Sequence, residues 1–69
     1  VRFTRHAKNR MRREKLDRAD VLKIVAPENR LGEDPNGNFL YAMEVRGTPY
    51  CAVVALDNGE LITIYDLRK

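Results

Sequence analysis

Three side chains at helical spacing, His6, Arg10 and Arg13, are the first in this 69-residue sequence that could do chemistry. His6 is the only histidine, and imidazole is the side chain whose ordinary titration range suits proton transfer near neutral pH. Arg10 lies one helical turn further on, so a phosphate held near the imidazole could also meet a guanidinium, which binds phosphate through two parallel hydrogen bonds. Arg5 and Arg13 extend the cationic row, and Arg46, at a turn between strands, is expected to approach an anion from the sheet side. Near the other end of the chain, Thr63 and Tyr65 are two residues apart and share one strand face. Their hydroxyls suit a phosphate or a ribose 2′-OH, and the Tyr65 ring suits a base. Phe39 and Tyr41 would add stacking surface if their side of the sheet were open. Each residue also has a plainer role to weigh: His6 as a histidine on the core edge, the arginines as a solvated helix face, Tyr65 as a good strand former. One histidine and one cysteine, with dispersed acids, lack metal-ligand spacing, and no phosphate-cradling glycine loop or nucleophile triad is present. The expectation is therefore chemistry without metal or cofactor. RNA permits it, because RNA carries its own 2′-OH nucleophile, and a base, an acid and cationic stabilisation of the phosphorane-like transition state would suffice.

The elements that must position these groups follow from patterning. Residues 1–4 read as a brief strand ending at a possible N-cap, Thr4. A helix is expected from Arg5 to Lys15. At 100° per residue, Ala7 and Met11 share the apolar side, Lys8 and Arg12 the opposite side, and His6, Arg10 and Arg13 a stripe beside the apolar face. Asp17 caps a second helix, Asp20 stands at the third position as the capping-box acid, Leu16 can staple Val21, and Pro27 ends the segment. Residues 28–34 read as an edge strand or loop before the Pro35-Asn36-Gly37 turn. Residues 39–45 form a strand with Phe39, Tyr41, Met43 and Val45 on one side, and Gly47-Thr48-Pro49 turns the chain. Residues 50–56 are apolar on both faces, as in a central strand covered on both sides. Asn58-Gly59 marks a hairpin into a last strand, 61–66, in which Ile62 and Ile64 face the helices and Leu61, Thr63 and Tyr65 face away. The fold class is α+β: two N-terminal helices packed on an antiparallel sheet of about four strands.

Composition sets the bounds. With 43% apolar residues the chain can build one core and one domain, 1–69. Val1 in place of Met suits a fragment of a longer chain, whose parent could be secreted. No membrane-spanning run is present, and the lone Cys51 in an apolar run fits a reducing, cytoplasmic site of action. Charge is segregated. Residues 1–23 hold nine Lys/Arg against three acids, net +6, whereas residues 24–69 hold four against seven, net −3. One face for a polyanion is the natural reading.

The pattern Phe3-Thr4-Arg5-His6-Ala7-x-x-Arg10-Met11-x-Arg13, a second short helix, and a closing hairpin ending Leu61-Ile62-Thr63-Ile64-Tyr65 resembles a small bacterial domain family with a helical HAxxRM opening and a final TxY strand. That family looks like an outlying branch of the RelE/ParE-like toxins, within the barnase, colicin and RelE class of metal-independent ribonucleases. The resemblance implies RNA cleavage leaving a cyclic phosphate, with His6, Arg10, Thr63 and Tyr65 as the catalytic set. It implies tRNA or mRNA as substrate and a neutralising antitoxin or immunity protein as partner. Arg46 has no counterpart in the motif, and the tail Leu67-Arg68-Lys69 matches the C-terminal basic set of RelE-like nucleases only loosely. A competing expectation is a non-enzymatic module that binds nucleic acid or protein in the ParE-like manner. A helix-turn-helix is disfavoured, because the second helix carries Asp17 and Asp20 and few donors.

Overall fold

The computed structural model describes residues 2–69, so the Val1 end of the expected first strand lies outside the described residues. The chain is α+β, with the order β1 (Arg2–Phe3), α1 (Arg5–Glu14), α2 (Arg18–Ile24), a 3-10 turn (Pro27–Asn29), β2 (Arg30–Glu33), β3 (Asn38–Val45), β4 (Thr48–Ala55) and β5 (Glu60–Asp66). Five strands form one mixed sheet in the order β1-β5-β4-β3-β2. The sheet thus exceeds the four antiparallel strands expected from sequence. The difference is made at both edges: β1 adds to β5 in parallel, through Arg2 opposite Glu60 and Phe3 opposite Leu61, and β2 adds antiparallel to β3.

Both helices start on side-chain caps. The Thr4 hydroxyl accepts the Ala7 N–H, and α1 ends at Lys15, whose left-handed backbone (φ 59°) turns the chain. In α2 the Asp17 and Asp20 carboxylates each accept the other's backbone N–H, completing the expected capping box. Ala7 and Met11 of α1, with Val21 and Ile24 of α2, are buried against Val45, Tyr50, Ala52, Val54, Leu61 and Ile64 of the sheet. Each fully buried branched side chain, such as Ile24, contributes about 1.5–3 kcal/mol over its exposed state.

Three sequence expectations change. The β3–β4 turn is Arg46-Gly47, not Gly47-Thr48-Pro49. Both central residues have positive φ (50° and 83°) between the paired Val45 and Thr48, as a two-residue hairpin requires, so Thr48 and Pro49 already belong to β4. Leu61 is fully buried on the helix side, because a bulge at Ile62 lets Val54 pair with Leu61 and Val53 with Thr63, which reverses the parity of the residues before it. Finally, β4 is central but covered by helices on one face only. The opposite face, formed by Leu40, Ala42 and Glu44 of β3, Cys51, Val53 and Ala55 of β4, and Thr63 and Tyr65 of β5, carries no helix. Cys51 is nonetheless 2% exposed, closed over by its neighbours on adjoining strands.

Candidate functional site

The Thr4 hydroxyl, besides capping α1, lies within hydrogen-bond distance of the Leu61 and Ile62 carbonyls (3.0 and 3.1 Å), and the Thr4 N–H donates to Leu61 (3.2 Å). Two turns along, Arg10 Nε donates to the Ile64 carbonyl at 3.3 Å. Beyond the two-residue β1, these contacts cover the outer edge of β5, whose carbonyls would otherwise be left as an open strand edge. They also explain most of the opening motif. Thr4 and Arg10 fasten the helix to the strand, and Ala7 and Met11 fill the core, whereas His6, Arg5 and Arg13 are exposed and have no structural bond among the described residues.

The stripe of His6, Arg10 and Arg13 therefore runs along the outer rim of β5. Arg10 is half-buried and its Nε is occupied, but its two terminal nitrogens have no partner among the described residues. Its donor plane is thus fixed by the strand while the outer donors remain available to an anion. Arg10 bonds the residue between Thr63 and Tyr65, so the stripe meets the strand that bears both. The side chains of Thr63 and Tyr65 lie around the edge on the open sheet face, opposite Val53 and Cys51, and no hydrogen bond among the described residues joins them to His6. Tyr65 is 38% exposed. Its phenol is pushed above its ordinary value of 10.0, chiefly by the neighbouring Cys51 side chain and then by burial. It stays a proton-bearing donor well past neutral pH.

Arg46 is placed elsewhere. It stands at the opposite end of β5 from His6, where its guanidinium binds the Asp20 carboxylate at 3.1 Å and the Lys15 carbonyl at 2.8 Å, tying the end of α1 to the start of α2. Phe39 and Tyr41 point to the helix side of the sheet, edge to face at 6.5 Å with the Arg30 guanidinium 4.1 Å above Phe39, and so do not share a face with Tyr65. Sequence reasoning missed Thr4 as a strand fastener, since its partners are 57 and 58 residues away.

The site is a rim and not a cleft. Two shallow depressions, of about 280 Å³ beside Asp20, Lys23 and Arg46 and about 300 Å³ beside Asn36 and Asp57, include none of His6, Arg10, Thr63 and Tyr65. Among the described residues no three His, Cys, Asp or Glu side chains gather as metal ligands, and no helix is long and apolar enough to cross a membrane. Compared with family models, with curated proteins and with solved structures, the chain matches none.

Proposed function

We propose that the chain is a RelE/ParE-like domain that binds RNA along the α1–β5 rim and cleaves it without a metal, acting in the cytoplasm as a toxin held in check by an acidic antitoxin or immunity protein. The observation that carries this reading is the seating of Arg10 on the Ile64 carbonyl. It joins a cationic helix stripe to the strand bearing Thr63 and Tyr65 and leaves an exposed histidine one turn away with no role in the fold.

In the reaction, His6 takes the proton of a ribose 2′-OH, the 2′-oxygen forms a bond to phosphorus, and the bond from phosphorus to the 5′-oxygen breaks. That oxygen leaves with a proton from solvent, giving a 2′,3′-cyclic phosphate and a 5′-hydroxyl. The terminal nitrogens of Arg10 face the charge that builds on the phosphoryl oxygens, and Arg5 and Arg13 hold flanking phosphates. Thr63 and Tyr65 donate hydrogen bonds to the ribose or base. The first turn of α1 is in keeping with an anion site: it holds Arg5 and His6 and no acid, the wrong sign for the helix dipole in an empty protein and the right one beside a phosphate.

The test is incubation of total RNA with the chain in the presence of a chelator, beside His6→Ala. Loss of the general base should slow cleavage by about 10²–10⁴-fold with no change in circular dichroism, since His6 is exposed. Equal cleavage by both proteins, or none by either, removes the mechanism. The open rim favours one second reading, an RNA-binding module that does not turn over. Salt-sensitive binding that survives His6→Ala, without cleavage, would select it.

A further inference from the structure

We propose that Asn36 is a site of spontaneous covalent modification, in which its side-chain amide is lost to attack by the Gly37 main-chain nitrogen and an isoaspartyl linkage forms in the β2–β3 turn. This is independent of the RNA reading. Two asparagines of the chain precede glycine, Asn36 and Asn58, and each stands exposed in a turn between strands. Glycine leaves the main-chain nitrogen unshielded, and a Cβ at Gly37 or Gly59 would meet nothing within 4 Å, so a five-membered ring has room at both. In the reaction the Gly37 nitrogen loses its proton to water and forms a bond to the side-chain carbonyl carbon of Asn36. The bond from that carbon to the amide nitrogen breaks, and the nitrogen leaves as ammonia with a proton from solvent. Water then opens the cyclic imide at either carbonyl, giving aspartate, or isoaspartate with the main chain routed through the side chain.

The structure separates the two sites. Their nucleophiles are held alike: the Gly37 N–H donates to the Asp34 carbonyl and the Gly59 N–H to the Ala55 carbonyl, each at 3.0 Å. Turn tips open at little free-energy cost, which releases these bonds transiently. The electrophiles differ. Asn58 Oδ1 accepts the Glu60 N–H at 3.0 Å and its Nδ2 donates to the Glu60 carboxylate at 3.4 Å, so turning that amide onto Gly59 breaks two bonds. At Asn36 the main-chain N–H donates to Asp34 Oδ1, but the side-chain amide has no partner among the described residues. It is free to rotate onto Gly37.

The product disturbs the turn. The Asp34 carboxylate accepts the N–H groups of Asn36 and Asn38, both at 2.9 Å, and the Asn38 side chain at 3.2 Å, while the Asp34 N–H donates to the Asn38 carbonyl at 2.8 Å. Isoaspartate at 36 adds one carbon to the main chain inside this network and sets a second carboxylate against Asp34. β2 is an edge strand paired with β3 alone, and its register already shifts between Arg30 and Gly32, so it depends on this turn. The β5 rim, with β4 and β3 between, is left untouched.

The experiment ages the native chain in mildly alkaline buffer, folded and in parallel in urea, and follows positions 36 and 58 by peptide mapping with mass spectrometry. Folded, Asn36 should convert at least about fivefold faster than Asn58, the factor for loss of one net hydrogen bond. In urea, where neither amide is held, the two rates should converge. Methyl transfer from S-adenosylmethionine by an isoaspartyl methyltransferase should label the aged folded chain, and Asn36→Gln, which keeps the amide but not the ring size, should lose most of that label. Hydrogen exchange of the aged native chain should show lost protection across β2, with α1 and β5 unchanged and aged Asn36→Gln protected throughout. Equal rates at the two sites in the folded chain, faster loss at Asn58, or the same ratio in urea as in buffer overturns the assignment. Full protection of β2 in chains that carry isoaspartate at 36 overturns its effect on the sheet.

Discussion

Apart from Arg10, whose Nε holds the Ile64 carbonyl, the cations of α1 and those at the far end of the sheet are the same residue types in opposite situations. Arg46 bonds Asp20 and the Lys15 carbonyl, Arg68 bonds Asp66 and Thr48, and Lys69 stands 3.6 Å from Glu14. Each stitches distant segments together. Among the described residues, no cation of α1 forms an ion pair, although the helix holds Arg5, Lys8, Arg10, Arg12 and Arg13 within ten residues. The reason lies in where the local acids are committed. Glu14 is turned inward toward Lys69, and Asp17 and Asp20 are spent on the capping box. The +6 of residues 1–23 is thus not compensated locally, and like charges three and four apart on a helix cost a few tenths of a kcal/mol per pair. In the function proposed above, RNA supplies the missing negative charge.

The sharpest way to break that comparison is to exchange the two sets. Replacing Arg5, Arg10 and Arg13 together by Gln should lower RNA affinity by about 100-fold or more at low salt and reduce the slope of log K against log salt by roughly 2, as expected for three lost phosphate contacts on a single strand. Arg46→Gln should leave both the affinity and the slope unchanged. Anisotropy titrations at several salt concentrations measure this. Equal losses in the two variants would erase the distinction between binding and stitching arginines.

Stability should respond the other way. Arg46→Ala frees the Lys15 carbonyl and the Asp20 carboxylate at once, and should lower the melting temperature by about 5 °C. Arg5→Gln and Arg13→Gln should leave it level or slightly raised. Acid adds a second handle, on the stitched end and on the β2–β3 turn. Hydrogen bonds from Arg68 hold the Asp66 carboxyl below its ordinary 3.8, the backbone N–H of Asp17 does the same for Asp20, and that of Asn38 for Asp34. A depressed native value means that the stabilisation is complete above about pH 4 and fades as pH falls through the native values. Asp66→Asn should therefore flatten the acid limb of a melting-temperature profile taken between pH 2 and 7. An unchanged limb would mean that the Asp66–Arg68 pair contributes nothing to acid stability.

How far the sequence foretold this arrangement depends on the range of the interaction. Caps are local, so Thr4 and the Asp17–Asp20 pair could be read from spacing. The stripe of His6, Arg10 and Arg13 follows from the helical period alone. Its seat on β5 does not, because the bonds from Thr4 and Arg10 to Leu61, Ile62 and Ile64 join segments more than 50 residues apart. Strand alternation assigned Thr63 and Tyr65 to the open face but misplaced Leu61, since one extra residue at Ile62 leaves no mark in the hydrophobic pattern. The place of Arg46 in a turn suggests an anion binder, and the structure gives it internal partners instead. Its partners, Lys15 and Asp20, lie 31 and 26 residues away.

The smallest effect tests the cost side of the comparison. Lys8 is exposed on α1, four residues before Arg12. A glutamate there would face Arg12 in the favourable order and place negative charge near the helix N-terminus, and the two gains should sum to about 0.5 kcal/mol. Lys8→Glu should accordingly melt about 2–4 °C higher than the native chain. The same substitution lowers the charge of the rim without touching His6, Arg10 or Tyr65, so RNA affinity should fall about tenfold at low salt and recover toward the native value as salt rises. A variant both more stable and weaker in binding is the outcome expected if the native helix carries uncompensated charge for its partner. If Lys8→Glu were less stable, Lys8 would hold a favourable contact in the folded chain, and the exposed cations of α1 could no longer be treated as one set.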